Sequence, residues 1–391
     1  MKKSDYGKPA KIYSNLFRLI IYMAVILLIL VNNGCSGSID SGKNQSAPDR
    51  KFCAAVWNMQ ALFDSTENGN EYEEYRESAG WTSEKYRARL LAAARAITQM
   101  RSIAENLPAA NTEKLTAPDF IGLVEMENAE VLNDLLMGPL SQQGYIQSFY
   151  GSAPAMSLGL GVLSRYPLTE TRVHSITTTG ETIPRPILEV SLAPGGNSLV
   201  IFLCHWKSKV GGDDATESLR RASAAVISRR IRELKTEKPG TPVIIMGDLN
   251  ENHDEFYRRG GKIPYALLPD DPGAALLADK NKNNNYFLIV SKEKPPKSTY
   301  FDKTNPVLYT PWETEITGGS YWYRDNWETI DHILMSAELF DNKGWEFGNA
   351  LVLNAPPFTN TRGIPNTYNP KTGLGISDHL PLMLYLRAAP E

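Results

Sequence analysis

Apolar runs recur along this chain with two periods, and several of them stop at an acidic, amide or histidine residue. Phe52 to Trp57 is continuous and apolar, which predicts a buried strand ending at Asn58. Phe120 to Val124 predicts a second strand, leading into Glu125. Gly159 to Ser164, Ile187 to Leu192 and Leu199 to Cys204 follow, the last two joined by the turn signal Pro194-Gly195-Gly196. Val243 to Met246, three β-branched residues and a Met entered by Pro242, predicts a strand that delivers Asp248 and Asn250 at its carboxyl end. Thr329 to Met335 and Leu382 to Leu386 complete the set.

Helical spacing is confined to three stretches. Thr82-Ser83-Glu84 opens a long one in which Tyr86, Leu90, Ala93, Ile97, Met100, Ala104 and Leu107 form a stripe, with Arg87, Arg95 and Arg101 on the water side and Pro108 as the stop. Ala129 to Met137 predicts a short helix. Thr216 to Leu234 predicts a second amphipathic one with Leu219, Ala222, Val226, Ile227 and Ile231 inward. From Glu251 to Asn326 the chain is loop-like and aromatic. Strands outnumber helices, and hairpins mix with crossovers, so mixed sheets flanked by helices fit better than a parallel doubly wound sheet.

The first 35 residues stand outside that fold. Lys2, Lys3, Lys8, Lys11 and Arg18 precede the uncharged run Leu19 to Val31, the length of a signal-peptide core and short for a membrane span. Gly34-Cys35 then resembles the lipobox of bacterial lipoproteins, although Asn32 and Asn33 depart from it. The expectation is an exported chain, lipid-anchored through Cys35 on the periplasmic side or the cell surface; an uncleaved anchor is the rival. Residues 36–50 read as a flexible tether and 51–391 as one domain, since no linker, repeat or charge block divides them.

Removing residues 1–35 leaves 36 basic and 43 acidic residues, a net of −7. Bulk charge therefore does not advertise a nucleic-acid binder, though a hydrolase needs only a local basic rim. Cys53 and Cys204 lie in apolar runs and read as small core residues.

The chemistry concentrates at strand ends. In Gly247-Asp248-Leu249-Asn250 a carboxylate that can orient and deprotonate water is followed two residues later by an amide that can donate to a phosphoryl group. A strand-ending Asx turn is the plainer account of the same four residues. Only five histidines occur. His205 ends Leu203-Cys204-His205-Trp206-Lys207, His332 follows Asp331 in Ile330-Asp331-His332-Ile333, and His379 sits in Ser377-Asp378-His379-Leu380-Pro381. Adjacent residues of a strand face opposite sides, so Asp378 and His379 serve different partners, and His379 needs a distant carboxylate; Asp331 is the candidate.

With Trp57-Asn58, Val124-Glu125, His205, the Gly-Asp-Leu-Asn motif, Asp331 and Ser377-Asp378-His379, the chain resembles the endonuclease/exonuclease/phosphatase superfamily over residues 51 to 389. The resemblance implies a four-layer α/β sandwich, DNase I-like, with two mixed β-sheets packed face to face and helices outside. It implies Glu125 as principal magnesium ligand with Asn58 beside it and Asp378 completing the shell, manganese or calcium being alternatives. Asp248 would activate water, Asn250 would position it or the phosphate, His379 paired with Asp331 would stabilise the phosphoryl charge, and His205 would hydrogen-bond the scissile group. The family often has an acid where Gln60 stands, which weakens a second metal position there.

Several positions carry two readings. Glu127, two residues beyond Glu125, points the same way along a strand and is a rival ligand. Arg185, Lys207 and Lys209 are placed to bind phosphate, whereas Arg220 and Arg221 read as a solvated helix face. His332 reads as structural, and His253 with Asp254 as a solvated loop. Trp312, Tyr321, Trp322, Tyr323 and Trp327 either stack on bases or pack a long loop. The expected activity is hydrolysis of nucleic acid, DNA or RNA, with a phospholipid or phosphate-ester hydrolase as the alternative; no protein partner is implied.

Overall fold

The computed structural model describes residues 51–106, 115–154, 156–178, 181–272, 287–297 and 305–390. The leader, Cys35 and the tether lie outside them, and no described helix is long and apolar enough to cross a membrane.

In chain order, β1 (Lys51–Leu62), α1 (Ser83–Ala104), β2 (Phe120–Met126), α2 (Ala129–Met137), β3 (Gln147–Gly151), β4 (Gly159–Ser164), β5 (Leu168–Thr178), β6 (Glu181–Leu192) and β7 (Leu199–His205) make the first half. Then come α3 (Asp213–Glu237), β8 (Val243–Asp248), α4 (Glu255–Arg258), β9 (Leu267–Pro269), β10 (Leu288–Ser291), β11 (Val307–Tyr309), β12 (Tyr321–Tyr323), β13 (Asn326–Glu328), β14 (Asp331–Met335), β15 (Trp345–Val352) and β16 (Leu382–Ala388). One sheet runs β15-β16-β1-β2-β4-β3 and the other β5-β6-β7-β8-β14-β11-β10-β9, while β12 and β13 pair alone. Both large sheets are mixed: β1 lies parallel to β2 and β7 parallel to β8, with antiparallel partners around them.

Their inner faces meet through one apolar layer that includes Val56, Val124, Leu203, Met246, Ile333 and Leu384. Each such side chain is worth roughly 1.5–3 kcal/mol of burial, so the central strands are fixed from both sides. The sheets approach closely at Gly122, where an added Cβ would stand 2.6 Å from Leu203 Cδ1. The helices α1 and α2 cover the outside of the first sheet with Ala93, Ile97, Met100, Leu132 and Leu135, and α3 covers the second with Ala224, Ile227 and Ile231. The result is helix, sheet, sheet, helix, the four-layer DNase I-like sandwich.

The Thr82 side chain accepts from Lys85 N–H and caps α1 where the sequence predicts it. The stretch from Glu251 to Asn326 is less loop-like than its composition suggests, because α4, β9, β10, β11 and β12 fall in it. These strands are only three or four residues long, too short to show a period, and β9 to β11 extend the second sheet outward from β14.

Candidate active site

Three strands of the second sheet set the first row of the site. Parallel register puts His205 opposite Asp248, and antiparallel register puts Asp331 opposite Asp248 on its other side. Gly247 makes the junction possible: it has φ +138°, and a Cβ there would lie 2.0 Å from Cys204 O. Asp248 Oδ1 accepts the Asn250 N–H at 2.9 Å while Asn250, at φ +51°, gives its side-chain NH2 to Trp206 O at 3.1 Å. The Asx turn is therefore real, and it leaves Oδ2 as the oxygen turned to the cavity. Around Oδ2 stand Asn58 Nδ2 at 3.1 Å, His205 Nε2 at 3.7 Å and His379 Nε2 at 4.0 Å.

The first sheet delivers the facing rim through a bulge. Strands β1 and β2 slip register between Asn58 and Leu62, where Gln60 (φ +52°) and Ala61 (φ +56°) are left-handed, and Glu125 itself has φ +64°. Each such residue costs on the order of 1–3 kcal/mol and persists only where its surroundings over-determine it. Here Ala61 N–H holds Glu125 Oε2 at 2.8 Å. Buried Arg89 of α1 donates to the carbonyls of Met59 and Ala61 at 2.7 and 2.8 Å, and its guanidinium lies 3.9 Å from the Tyr368 ring centre. The Gln60 side chain pairs with the backbone of Tyr368, donating at 3.0 Å and accepting at 2.8 Å. Arg89 was missed from sequence, yet a signal existed: it sits three residues after Tyr86 and four before Ala93, a cation inside the buried stripe.

The same bulge separates Glu125 from Glu127. Plain alternation would put them on one face, but the left-handed turn at Glu125 breaks it. Glu125 enters the cavity, whereas Glu127 accepts from Asp64 N–H at 2.6 Å and Asn68 Nδ2 at 3.1 Å in a separate buried cluster. Burial, with Asp64 and Glu71 nearby, pushes the Glu127 carboxyl up to about 7.

His379 comes from a loop, not a strand, so the alternation expected of Asp378 and His379 does not apply and both line the cavity. Ser377 Oγ donates to Asn58 O at 2.7 Å and Trp57 Nε1 to His379 O at 2.9 Å, which fastens this loop to the end of β1. His379 Nδ1 meets Asp331 Oδ2 at 2.7 Å, and Ser320 Oγ donates to the same oxygen at 2.7 Å. Burial opposes charge on His379, but Asp331, through charge and hydrogen bond, with Asp378 and Asp248 beyond it, holds the ring well above the usual imidazole range. Burial and then Asp331 raise Asp248 to about 7, and burial also raises Asp378. On the other wall burial and the Arg185 guanidinium hold His205 well below the usual range; Arg185 Nη1 lies 2.9 Å from His205 Nε2.

Glu125, His205, Asp248, Asn250, Asp378 and His379 line one cavity of about 820 Å³ that also takes in Arg185, Lys209, Tyr321 and Tyr323, with Asp331 and Asn58 behind its wall. Lys209 is paired with Glu255 at 2.7 Å, and Lys207 turns to Ser208 and the Val210 carbonyl. Arg220 is not on a solvated face: it is fully buried, bridging Glu217 at 2.8 Å and Glu251 at 3.3 Å behind the Gly-Asp-Leu-Asn turn. His253 is likewise buried, stacked on Trp312, which is itself in the core. His332 is buried with Nε2 at the Glu251 carbonyl, the structural position expected of it.

The donor set suits a hard divalent ion. Glu125, Asp248 and Asp378 present oxygens to one cavity, and burial with neighbouring carboxylates raises Asp248 and Asp378 despite the opposing pull of His379. Asp248, Asp331 and His379 bring ligand atoms within 4.8 Å of one another, but Asp331 is taken up by His379 and Ser320. Asn58 turns its nitrogen, not its oxygen, to Glu125 Oε1 at 3.3 Å, its Oδ1 being held by Gln60 N–H at 2.9 Å. A shell that includes Asn58 requires that amide to rotate.

Comparison with known proteins now adds to this geometry. A model described as the endonuclease/exonuclease/phosphatase family matches residues 53–259. No curated protein matches the chain. Similar solved structures include truncated TDP2 of Caenorhabditis elegans, at 14% identity over 86% of this chain and 98% of that one with TM-score 0.46. A mannosyl-6-phosphatase of Bacteroides thetaiotaomicron has 14% identity over 86% and 99%, TM-score 0.46. An endonuclease/exonuclease/phosphatase family protein of the same organism has 14% identity over 88% and 99%, TM-score 0.47. The matched span covers over half the chain and carries Asn58, Glu125, His205, Asp248 and Asn250, and the chain belongs to the endonuclease/exonuclease/phosphatase family.

Proposed function

We propose that this chain is a divalent-metal-dependent phosphodiesterase that cleaves nucleic-acid phosphodiester bonds by in-line attack of water. The observation that carries the proposal is the placing of one carboxylate, Asp248, between an imidazole held cationic, His379, and one held neutral, His205. Titratable groups whose ranges are pushed apart are the mark of divided acid and base roles. Asp248 Oδ2 orients and takes the proton of the attacking water. Asn250, locked by Trp206 O, holds the turn that aims Asp248 and faces the phosphoryl oxygens from the cavity wall. His379, kept charged by Asp331, stabilises negative charge developing on the phosphoryl group, and His205 with Arg185 faces the scissile oxygens from the opposite side. Glu125 and Asp378, with Asn58 after rotation, would hold a magnesium or manganese ion, which supplies Lewis-acid stabilisation of phosphorus and leaving oxygen.

The test is a substrate panel: plasmid DNA, RNA, sphingomyelin and a sugar phosphate, each with magnesium or with EDTA. Metal-dependent release from nucleic acid and not from the lipid or monoester is the expected result. Turnover of the lipid or the monoester alone would replace the substrate class, and turnover of none would leave a binding protein. Export with a lipid on Cys35 is part of the proposal and rests on residues 1–35 alone; loss of membrane retention in Cys35→Ala tests it.

A further inference from the structure

The mechanism leaves one wall of the cavity unused. Between β11 and β14 the chain makes a tight hairpin, β12 and β13, whose turn residues Arg324 (φ +47°) and Asp325 (φ +62°) are both left-handed. That is the two-residue turn whose twist matches a hairpin, so the tip is a fixed projection. Its base is anchored to the reacting groups. Leu380 N–H donates to Ser320 O at 2.7 Å, Ser320 Oγ donates to Asp331, and the Tyr321 ring stacks on the His379 ring with centres 4.6 Å apart and planes 29° apart.

Alternation along β12 then sorts its aromatics. Trp322 turns to the other face and meets Trp327 edge-on at 5.2 Å, and Trp327 packs on the core. Tyr321 and Tyr323 share the cavity face, their rings nearly parallel at 16° with centres 6.2 Å apart, and the Arg324 guanidinium sits 5.0 Å from the Tyr323 ring centre. Tyr323 is 47% exposed. An aromatic of that size left nearly half exposed beside the cavity, braced by a short turn and with a cation at its ring, offers exposed ring surface to a flat ligand.

We infer that Tyr323 and Arg324 form a stacking platform for a nucleobase adjoining the scissile phosphate, which selects single-stranded over duplex nucleic acid; this rests on the nuclease assignment above. A base inside a duplex already has both faces covered, so only an unpaired base can lie on Tyr323. Tyr321, pressed on His379, passes the position of the platform to the imidazole. Base and phosphate are thereby located together, the base on Tyr323 and the phosphate at His379 and Arg185.

Two measurements separate this from the nuclease assignment. The first is equilibrium binding, in EDTA, of a short fluorescent single strand, the same strand with abasic sites, and its duplex. Wild type is expected to favour the base-bearing strand over both by about tenfold, Tyr323→Ala to lose that preference, and Tyr323→Phe to keep it. The second is cleavage of the same three probes with magnesium, where Tyr323→Ala should raise KM about tenfold on the base-bearing strand and leave the abasic strand unchanged. Equal binding of all probes by wild type, or a Tyr323→Ala variant that behaves as wild type, overturns the platform. Preference for the base-bearing strand lost in Tyr323→Ala, without cleavage under any metal, would uphold the platform and remove the nuclease assignment.

Discussion

His379 and His205 face Asp248 from opposite walls at 4.0 and 3.7 Å, and Glu125 Oε1 stands 3.6 Å from His205, yet the strongest charged neighbour of each ring differs in sign. Behind His379 stand Asp331 and Asp378; against His205 lie Arg185 and, farther off, Lys207. Both rings are buried, so desolvation disfavours the charged form of each. On one wall a carboxylate at 2.7 Å overcomes that cost, and on the other a guanidinium adds to it. The difference is set by strand register and loop anchoring, not by the histidines themselves, which shows how one cavity can hold an imidazolium and an imidazole at neutral pH.

The comparison can be broken most severely at His379. His379→Ala should lower kcat by roughly a thousandfold while the protein stays folded at a reduced melting temperature, because buried Asp331 loses its partner, measured by steady-state hydrolysis beside a thermal melt; near-normal turnover would remove the cationic wall. Asp331→Asn comes next, at about a hundredfold. It also changes the pH profile in a defined direction. Without the carboxylate, burial pulls the His379 range down, so the charged form is lost as pH rises and activity should fall toward alkaline pH earlier than in wild type. Arg185→Ala should have a smaller effect, about tenfold and mainly in KM, while the His205 range moves up toward its ordinary value, as followed by the imidazole proton shifts against pH.

The smallest expected change sharpens the contrast between the two glutamates. Glu127→Gln should leave kcat within about twofold, since Glu127 lies outside the cavity, whereas Glu125→Gln should abolish metal-dependent turnover. Stability carries the sign instead. Glu127 is raised from 4.5 to about 7 on folding, so its contribution is fully present below pH 4.5 and is lost as pH rises toward 7. Glu127→Gln removes that loss, and its melting temperature should fall less than that of wild type between pH 5 and 8.

Much of the fold was legible because buried strands announce themselves. The β4 and α2 bounds follow the apolar pattern residue for residue, and β8 and β14 are central and buried throughout. Strands β3 and β5 were not legible: β5 is mostly exposed and its polar residues show no inner face, while β3 is half-buried up to Gly151. Strand β15 breaks its own period at the irregularity between Phe347 and Asn349. At the site, the acids and histidines that end strands were visible as sequence. Arg89, the buried Arg220 network and the Tyr321 stack were not, because each depends on a partner many residues away.

Local sequence by itself determined which side chains end the strands, since alternation and apolar runs are properties of neighbouring residues. It determined equally that Asp248 and Asn250 would form a turn. Only the tertiary structure decided that Glu125 and not Glu127 enters the cavity, because a left-handed residue held by the Ala61 N–H reverses the alternation. It alone decided the charge on each histidine. A proton is held or released by the field of groups that register and packing bring within a few ångströms, and no local pattern encodes that distance.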